Sequence, residues 1–391
     1  MGSSASQFPH DGPPDAAAAG LHPERLAQAL KLFTAQQARG DFPGGQLAVR
    51  RAGRLGAEVA VGLARGMRPG EAQRAATPQT LFNVHSASKP LVALAVAALE
   101  EDGRLDVALP VARYLPEFAG RGRDAITVLD VLTHRAGVPM PELTNHPERW
   151  RDPDAVRAAL AAAEPRYPRG TLAYLPVEFG WILAEVVARI TGQRFDVFLR
   201  ERLLLPAGLG GLGFTATPDE LAAAARCCWV GKETVLLHGV DLREQFEKVW
   251  NDPAVLAAPV PGASLLTDAA HLAALYELLL RGGVSATGQR LLREDTVATY
   301  TRRAFFGFDR ANRVPLAVAR GFLTGTPWPS VYGLWGSSGC FGHAGGFSTL
   351  AFADRETGLA AAVVTNGNAG AGDFFRRFRP LAEALRRAAP R

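Results

Sequence analysis

Cysteine and lysine are both scarce in this chain. Cys227, Cys228 and Cys340 are its only cysteines, too few and too unevenly spaced for a disulfide framework or a four-ligand zinc site. The eight histidines are scattered. None forms a His-x-x-x-His or His-Glu-x-x-His pair, so no metal ligand set is expected. No stretch reaches about 18 uninterrupted apolar residues, so no membrane span and no membrane partner are expected. No Lys/Arg block stands out, and a net charge of +5 is modest for 391 residues, so no nucleic-acid partner is expected either. Met1 to Gly20 has neither a basic segment nor an apolar segment of the kind found in secretory leaders, and a cytoplasmic location is expected. Only four of the 43 basic residues are lysine: Lys31, Lys89, Lys232 and Lys248. The evenly spread arginine is what a GC-rich bacterial genome encodes.

What is present describes a globular protein, with 48% hydrophobic and 21% charged residues. The length suits one large domain or two subdomains sharing a site. Residues 1–22 read as a disordered tail. The spacing of Leu26, Leu30 and Phe33 predicts a helix over Pro23–Ala38, and the polar turn Ala52-Gly53-Arg54 sits between two strands of a hairpin. From about residue 96 to about 334 the pattern is mostly helical. Strands return at Phe347–Ala353 and Leu359–Thr365, followed by an amphipathic helix from Asp373 to Arg387. The expected fold class is α/β (α+β): one antiparallel sheet built from both termini (about 23–95 and 335–391), flanked by helices, with a helical subdomain (about 96–334) inserted.

One of the four lysines stands in a distinctive place. Ser86 and Lys89 lie three residues apart in Asn83-Val84-His85-Ser86-Ala87-Ser88-Lys89-Pro90, ahead of an apolar run from Leu91 to Leu99. The run is apolar on every face and reads as a buried helix. A three-residue step at its start puts the amine on the same side as the hydroxyl. Serine needs a neighbouring base to become a nucleophile. A lysine sunk at the N-terminal end of a buried helix can supply one, because desolvation and the helix dipole both favour its neutral form. The alternative is a helix-capping serine with a solvent-facing lysine. His85 and Asn83 read equally as pocket-lining or as structural residues. Trp150, Trp181, Trp250 and Trp335 are candidates for an apolar pocket, with core packing the competing role.

Two further segments complete a constellation. Pro168-Arg169-Gly170-Thr171-Leu172-Ala173-Tyr174-Leu175-Pro176 is a turn leading to a tyrosine before a helix, and Gly342-His343-Ala344-Gly345-Gly346 precedes a strand. With these, the chain resembles the serine β-lactamase and penicillin-binding-protein superfamily, most of all class C β-lactamases and family VIII carboxylesterases, over roughly residues 24–390. Ser-x-x-Lys, a tyrosine loop and a Lys-Thr-Gly or His-x-Gly segment recur there in this order. Gly103-Arg104-Leu105-Asp106 and Leu132-Thr133-His134-Arg135-Ala136-Gly137 look like the family as well.

The resemblance implies that Ser86 is acylated, that Lys89 is its base, and that Tyr174 shares in proton transfer. Tyr167 is the competing tyrosine. It further implies an oxyanion hole from the N–H groups of Ser86 and Gly346, with Gly345 and His343 lining the substrate site and His343 in the place of the family lysine. There it would offer a weaker, pH-dependent charge. Pro176 stands where the family has asparagine. The implied function is hydrolysis of an ester or activated acyl compound without metal or organic cofactor, the partner being a small-molecule acyl substrate. Transfer of the acyl group to an alcohol or amine, a D-amino-acid peptidase or β-lactamase activity, and a non-catalytic binding scaffold are the other readings. The segment from about Ala223 to Val260 matches no recognisable pattern.

Overall fold

The computed structural model describes residues 13–233, 236–237 and 240–390. Its centre is a nine-stranded sheet. From one edge the strands run Arg74–Ala75, Arg54–Arg65, Gly44–Arg51, Leu359–Thr365, Thr349–Asp354, Cys340–Gly345, Leu323–Thr324, Val314–Val318 and Phe305–Asp309. Every neighbouring pair is antiparallel. The N- and C-terminal parts of the chain join where Gly44–Arg51 pairs with Leu359–Thr365, with Leu47 opposite Val363.

Alternation along these strands sends side chains to two different cores. Leu47, Val49, Ala361 and Val363 pack with Leu26, Phe33, Phe374, Phe378 and Leu385, so the helices Pro23–Ala38 and Ala371–Arg387 cover one face. Ala48, Ala360, Ala362 and Val364 face the other way, into a core that contains the helices Lys89–Glu101 and Ala269–Leu280. The small alanines on that face let Ala269–Leu280 lie close to the sheet, and a buried ion pair from Arg50 Nε to Glu277 Oε2 (2.7 Å) ties the two together. Every residue from Lys89 to Leu99 is buried. On its far side this helix meets a helical layer that includes Glu178–Thr191 and Phe195–Leu199.

The structure corrects two of the expected boundaries. The sheet takes in the hairpin of Phe305–Asp309 and Val314–Val318 together with Leu323–Thr324, all expected to lie in the helical part. Apolar residues on both faces of that hairpin hide its alternation. Within the expected tail, residues 13–22 are ordered. Ala19 and Leu21 are buried against the sheet-covering helices, the Asp15 N–H donates to Leu55 O at 3.0 Å, and the His22 N–H donates to Ala388 O at 2.8 Å. Residues 1–12 lie outside the described residues. Among the described residues, no helix is long and apolar enough to cross a membrane.

Candidate active site

The Ser86–Lys89 segment opens with one turn of 3₁₀-helix, His85–Ser88, before the α-helix begins at Lys89. In a 3₁₀ turn residues three apart eclipse one another, which brings Lys89 Nζ to 3.1 Å from Ser86 Oγ. Ahead of the serine the backbone bends sharply. His85 has φ of 49°, in the left-handed region, and the Asn83 side chain supports the bend by accepting the His85 N–H at 3.0 Å. The His85 and Ala87 N–H groups are both engaged, the latter by Val84 O at 3.1 Å. Ser86 lies between them in the first turn, where N–H groups lack intrahelical acceptors.

Lys89 is fully buried. Its ammonium also reaches Pro176 O at 2.5 Å and Gly262 O at 3.2 Å. Burial pulls its pKa down to about 7, against a smaller opposing pull from the Glu178 carboxylate. The neutral amine has two N–H donors and one lone pair. Two carbonyls that can only accept take the donors, leaving the lone pair for the Ser86 hydroxyl proton.

Tyr174 reaches the same point from the loop before Glu178–Thr191. Its ring lies 5.1 Å from Lys89 Nζ, and it lines the same cavity as Ser86. Burial pushes the phenol well above its ordinary pKa, with the nearby Ser86 hydroxyl opposing. It is therefore a neutral hydroxyl, able to donate and accept but not standing as a phenolate. Two residues to which the sequence assigned no role hold it in place. Asp309 Oδ1, fully buried, accepts the Tyr174 N–H at 2.9 Å. The His134 ring stacks on Tyr174 with centroids 4.4 Å apart, and its Nδ1 accepts the Leu175 N–H at 3.1 Å. Glu178, buried, fastens the same loop by accepting N–H groups from Met140 (3.0 Å) and Val177 (3.1 Å) and the Thr144 hydroxyl (2.6 Å).

The third side is the end of the strand Cys340–Gly345. A Cβ on Gly345 would lie 1.9 Å from Val84 O, so only glycine lets the strand press against the turn that carries Ser86. Gly346 follows with φ of 50°, and a Cβ there would meet His85 Cδ2 at 2.6 Å. These groups open onto a cavity of about 290 Å³. Ser86, Tyr174, His343 and Gly346 line it, with a largely apolar wall that includes Phe246, Trp250, Leu316, Phe347 and Phe374 and is interrupted by Thr144, Gln245 and Asn312. The unmatched segment from Ala223 to Val260 thus supplies part of the pocket. His85 is buried in the same wall between Phe246 (4.9 Å) and Trp250 (5.2 Å), and burial lowers its pKa to about 3. Of the tryptophans, Trp250 lines the cavity, Trp150 packs against it in a tilted arrangement at 5.3 Å, Trp181 is buried in the core, and Trp335 is exposed. A wider groove of about 910 Å³ along Ala371–Arg387 contains none of the groups around Ser86.

A family model described as Beta-lactamase matches residues 30–386. The chain belongs to the beta-lactamase family. Its relatives include the esterase/beta-lactamase LipL of Mycobacterium tuberculosis, 29% identical over 91% of this chain and 85% of that protein. Among solved structures, a penicillin-binding-protein homologue from Caulobacter crescentus superposes with a TM-score of 0.76 at 29% identity, covering 94% of this chain and 99% of the other. A family VIII carboxylesterase superposes with a TM-score of 0.77 at 26% identity, over 94% and 99% of the two chains. The protein is a serine hydrolase of beta-lactamase fold.

Two positions beside the serine bear on what this site can recognise. Pro176 has no amide side chain, yet its carbonyl still holds Lys89. His343 does not supply the charge expected of it. It is buried, its Nδ1 donates to Ala344 O at 2.6 Å, and desolvation, with the nearby Lys89, lowers its pKa to about 3. It is neutral at any physiological pH. Among the described residues, no group of three or more His, Cys, Asp or Glu is placed to hold a metal ion.

Proposed function

We propose that this protein hydrolyses esters of hydrophobic acids or alcohols through a covalent acyl-Ser86 intermediate. The observation that carries this reading is Lys89: a buried amine with a pKa of about 7, 3.1 Å from Ser86 Oγ, its remaining donors directed at two carbonyls. Neutral Lys89 takes the hydroxyl proton as Ser86 Oγ attacks the ester carbonyl. The N–H groups of Ser86 and Gly346 receive the developing oxyanion. As the intermediate collapses, the Tyr174 hydroxyl gives its proton to the leaving alkoxide and recovers one from the Lys89 ammonium. Water then attacks the acyl-enzyme, its proton passes along the same groups in reverse, and Ser86 Oγ is reprotonated as the acid departs.

The largely apolar cavity wall and two absences beside Ser86 favour esters over peptides and β-lactams. Pro176 offers no side-chain amide to a substrate amide, and neutral His343 offers no cation to a substrate carboxylate. Each polar group left unpaired costs about 1–3 kcal/mol. Ester kcat/KM is therefore expected to exceed that for penicillins or D-Ala-D-Ala peptides by at least roughly 10²-fold. Steady-state kinetics on both classes checks this, and comparable β-lactam turnover overturns the preference. Ser86→Ala should abolish both p-nitrophenyl ester turnover and covalent labelling by a fluorophosphonate. Labelling that persists on the variant overturns the nucleophile.

A further inference from the structure

Among the described residues, the last strand of the sheet, Phe305–Asp309, has no neighbour on its outer side. Its side chains alternate: Phe305 and Gly307 are half-buried, while Phe306 and Phe308 are 43% and 51% exposed. Trp328, 49% exposed, packs edge-on against Phe306 at 5.7 Å, and Phe308 faces the exposed Pro315 across the hairpin. Three of the seven large hydrophobic residues exposed among the described residues thus form one patch. A patch of this kind marks an interaction site.

Its charge is one-sided. Arg302, Arg303, Arg310 and Arg313 bracket the strand and are all exposed. Among the described residues, none of the four is ion-paired, although arginines elsewhere commonly are. Asp309 is the only acidic residue between Asp295 and Asp354. It is fully buried, with its carboxylate engaged by the Tyr174 and Ala311 N–H groups and by Asn312. No negative charge on this stretch offsets the arginines. Arg310 leans over the Phe308 ring at 5.9 Å.

We propose that this aromatic and arginine face docks on an anionic lipid surface. Exposed Phe and Trp side chains enter the boundary between headgroups and acyl chains, and arginines around them meet lipid phosphates. Pairing of the open edge with a second copy would instead bring eight uncompensated arginines together. The proposal departs from the sequence expectation of no membrane partner, which rested on the lack of a spanning apolar run; adsorption needs none. The opposite face of the same hairpin places Val314 and Leu316 in the wall of the Ser86 cavity, so the docked surface and the pocket share one thin element. The proposal does not depend on which ester the pocket takes.

The test is co-sedimentation of the full chain with vesicles of equimolar phosphatidylglycerol and phosphatidylcholine, against phosphatidylcholine alone. Wild type should partition to the anionic vesicles and much less to the neutral ones, with release as salt rises. Arg302→Gln with Arg303→Gln should lower partitioning by roughly fivefold per arginine removed. Phe306→Ser with Trp328→Ser should abolish it. Both double variants should keep wild-type urea midpoints and wild-type turnover of a soluble ester, and the exposed arginine pair remains informative if the aromatic pair disturbs folding. Equal partitioning to both vesicle types, none to either, or unchanged partitioning of the arginine variant overturns the proposal. A concentration-dependent dimer in sedimentation velocity that Phe306→Ser with Trp328→Ser dissociates overturns it as well, assigning the patch to a second copy.

Discussion

Replacing Lys89 with methionine isolates what the site costs the fold. The side chain is fully buried and its pKa falls from 10.5 to about 7 through desolvation. A shift of that size corresponds to on the order of 5 kcal/mol of penalty while the amine is protonated. The sign follows from proton counting. Between the folded and unfolded pKa values the unfolded chain binds more protons, so stability contributed by this group rises with pH. The penalty is fully present below about pH 7 and gone above about pH 10.5. Methionine keeps the volume and never carries the charge, but it leaves Pro176 O and Gly262 O without their donor, a loss of roughly 1–3 kcal/mol each. These two effects oppose each other, and only the first of them changes with pH. The stability of wild type relative to Lys89→Met should increase by about 3 kcal/mol between about pH 6.5 and pH 9.5. Urea denaturation of both proteins at the two pH values measures it, and other titrating groups cancel in the difference. A gap that moves by less than about 1 kcal/mol would show that Lys89 is not the depressed amine, and the assignment of Lys89 as base would go with it.

The same pKa places the acid limb of kcat/KM near pH 7, activity rising as Lys89 loses its proton. Tyr174→Phe should lower kcat by roughly 10²–10⁴ yet leave that limb in place, because the phenol is neutral throughout the range. Near wild-type activity would move the role to Tyr167, and a lost limb would mean that the tyrosine itself sets it. Gly345→Ala puts a methyl 1.9 Å from Val84 O, so the strand end and the Ser86 turn must part. An ångström of displacement is worth roughly 10² in rate, and kcat/KM should fall by about that factor while fluorophosphonate labelling slows in parallel. Unchanged labelling would mean that the turn does not depend on that contact.

The parts of the site that were legible in the sequence are the parts that chemistry ties to a side chain within one turn or one loop. Ser86 and Lys89 share a turn, and Tyr174 sits beside a Pro-Gly turn ahead of a helix. The partners of Lys89 were not legible, because two of them are backbone carbonyls and any residue has one. Nor was the neutrality of His343, since burial comes from the strand in front of the helix and leaves no mark in His343-Ala344-Gly345-Gly346. Asp309 and His134 position Tyr174 from more than a hundred and from forty residues away respectively, in segments with no motif of their own. The central hairpins and long helices followed from periodicity. The hairpin at Phe305–Val318 did not, because Phe306 and Phe308 put apolar side chains on its outer face. The segment around Phe246 and Trp250 showed no pattern because a pocket wall has no period.

Pairing between Gly44–Arg51 and Leu359–Thr365 has a consequence for the chain as it is made. The first of these strands emerges early from the ribosome, and its partner follows about three hundred residues later, roughly 15–60 s at usual synthesis rates. For that interval one side of the hairpin offers unsatisfied N–H and C=O groups and the apolar side chains of Leu47 and Val49. Gly346, the proposed second donor to the oxyanion, arrives equally late. A ribosome-bound chain therefore carries Ser86 and Lys89 without the strand that presses against them. It should be catalytically silent and at its most aggregation-prone until the strands Cys340–Gly345 and Leu359–Thr365 have left the ribosome.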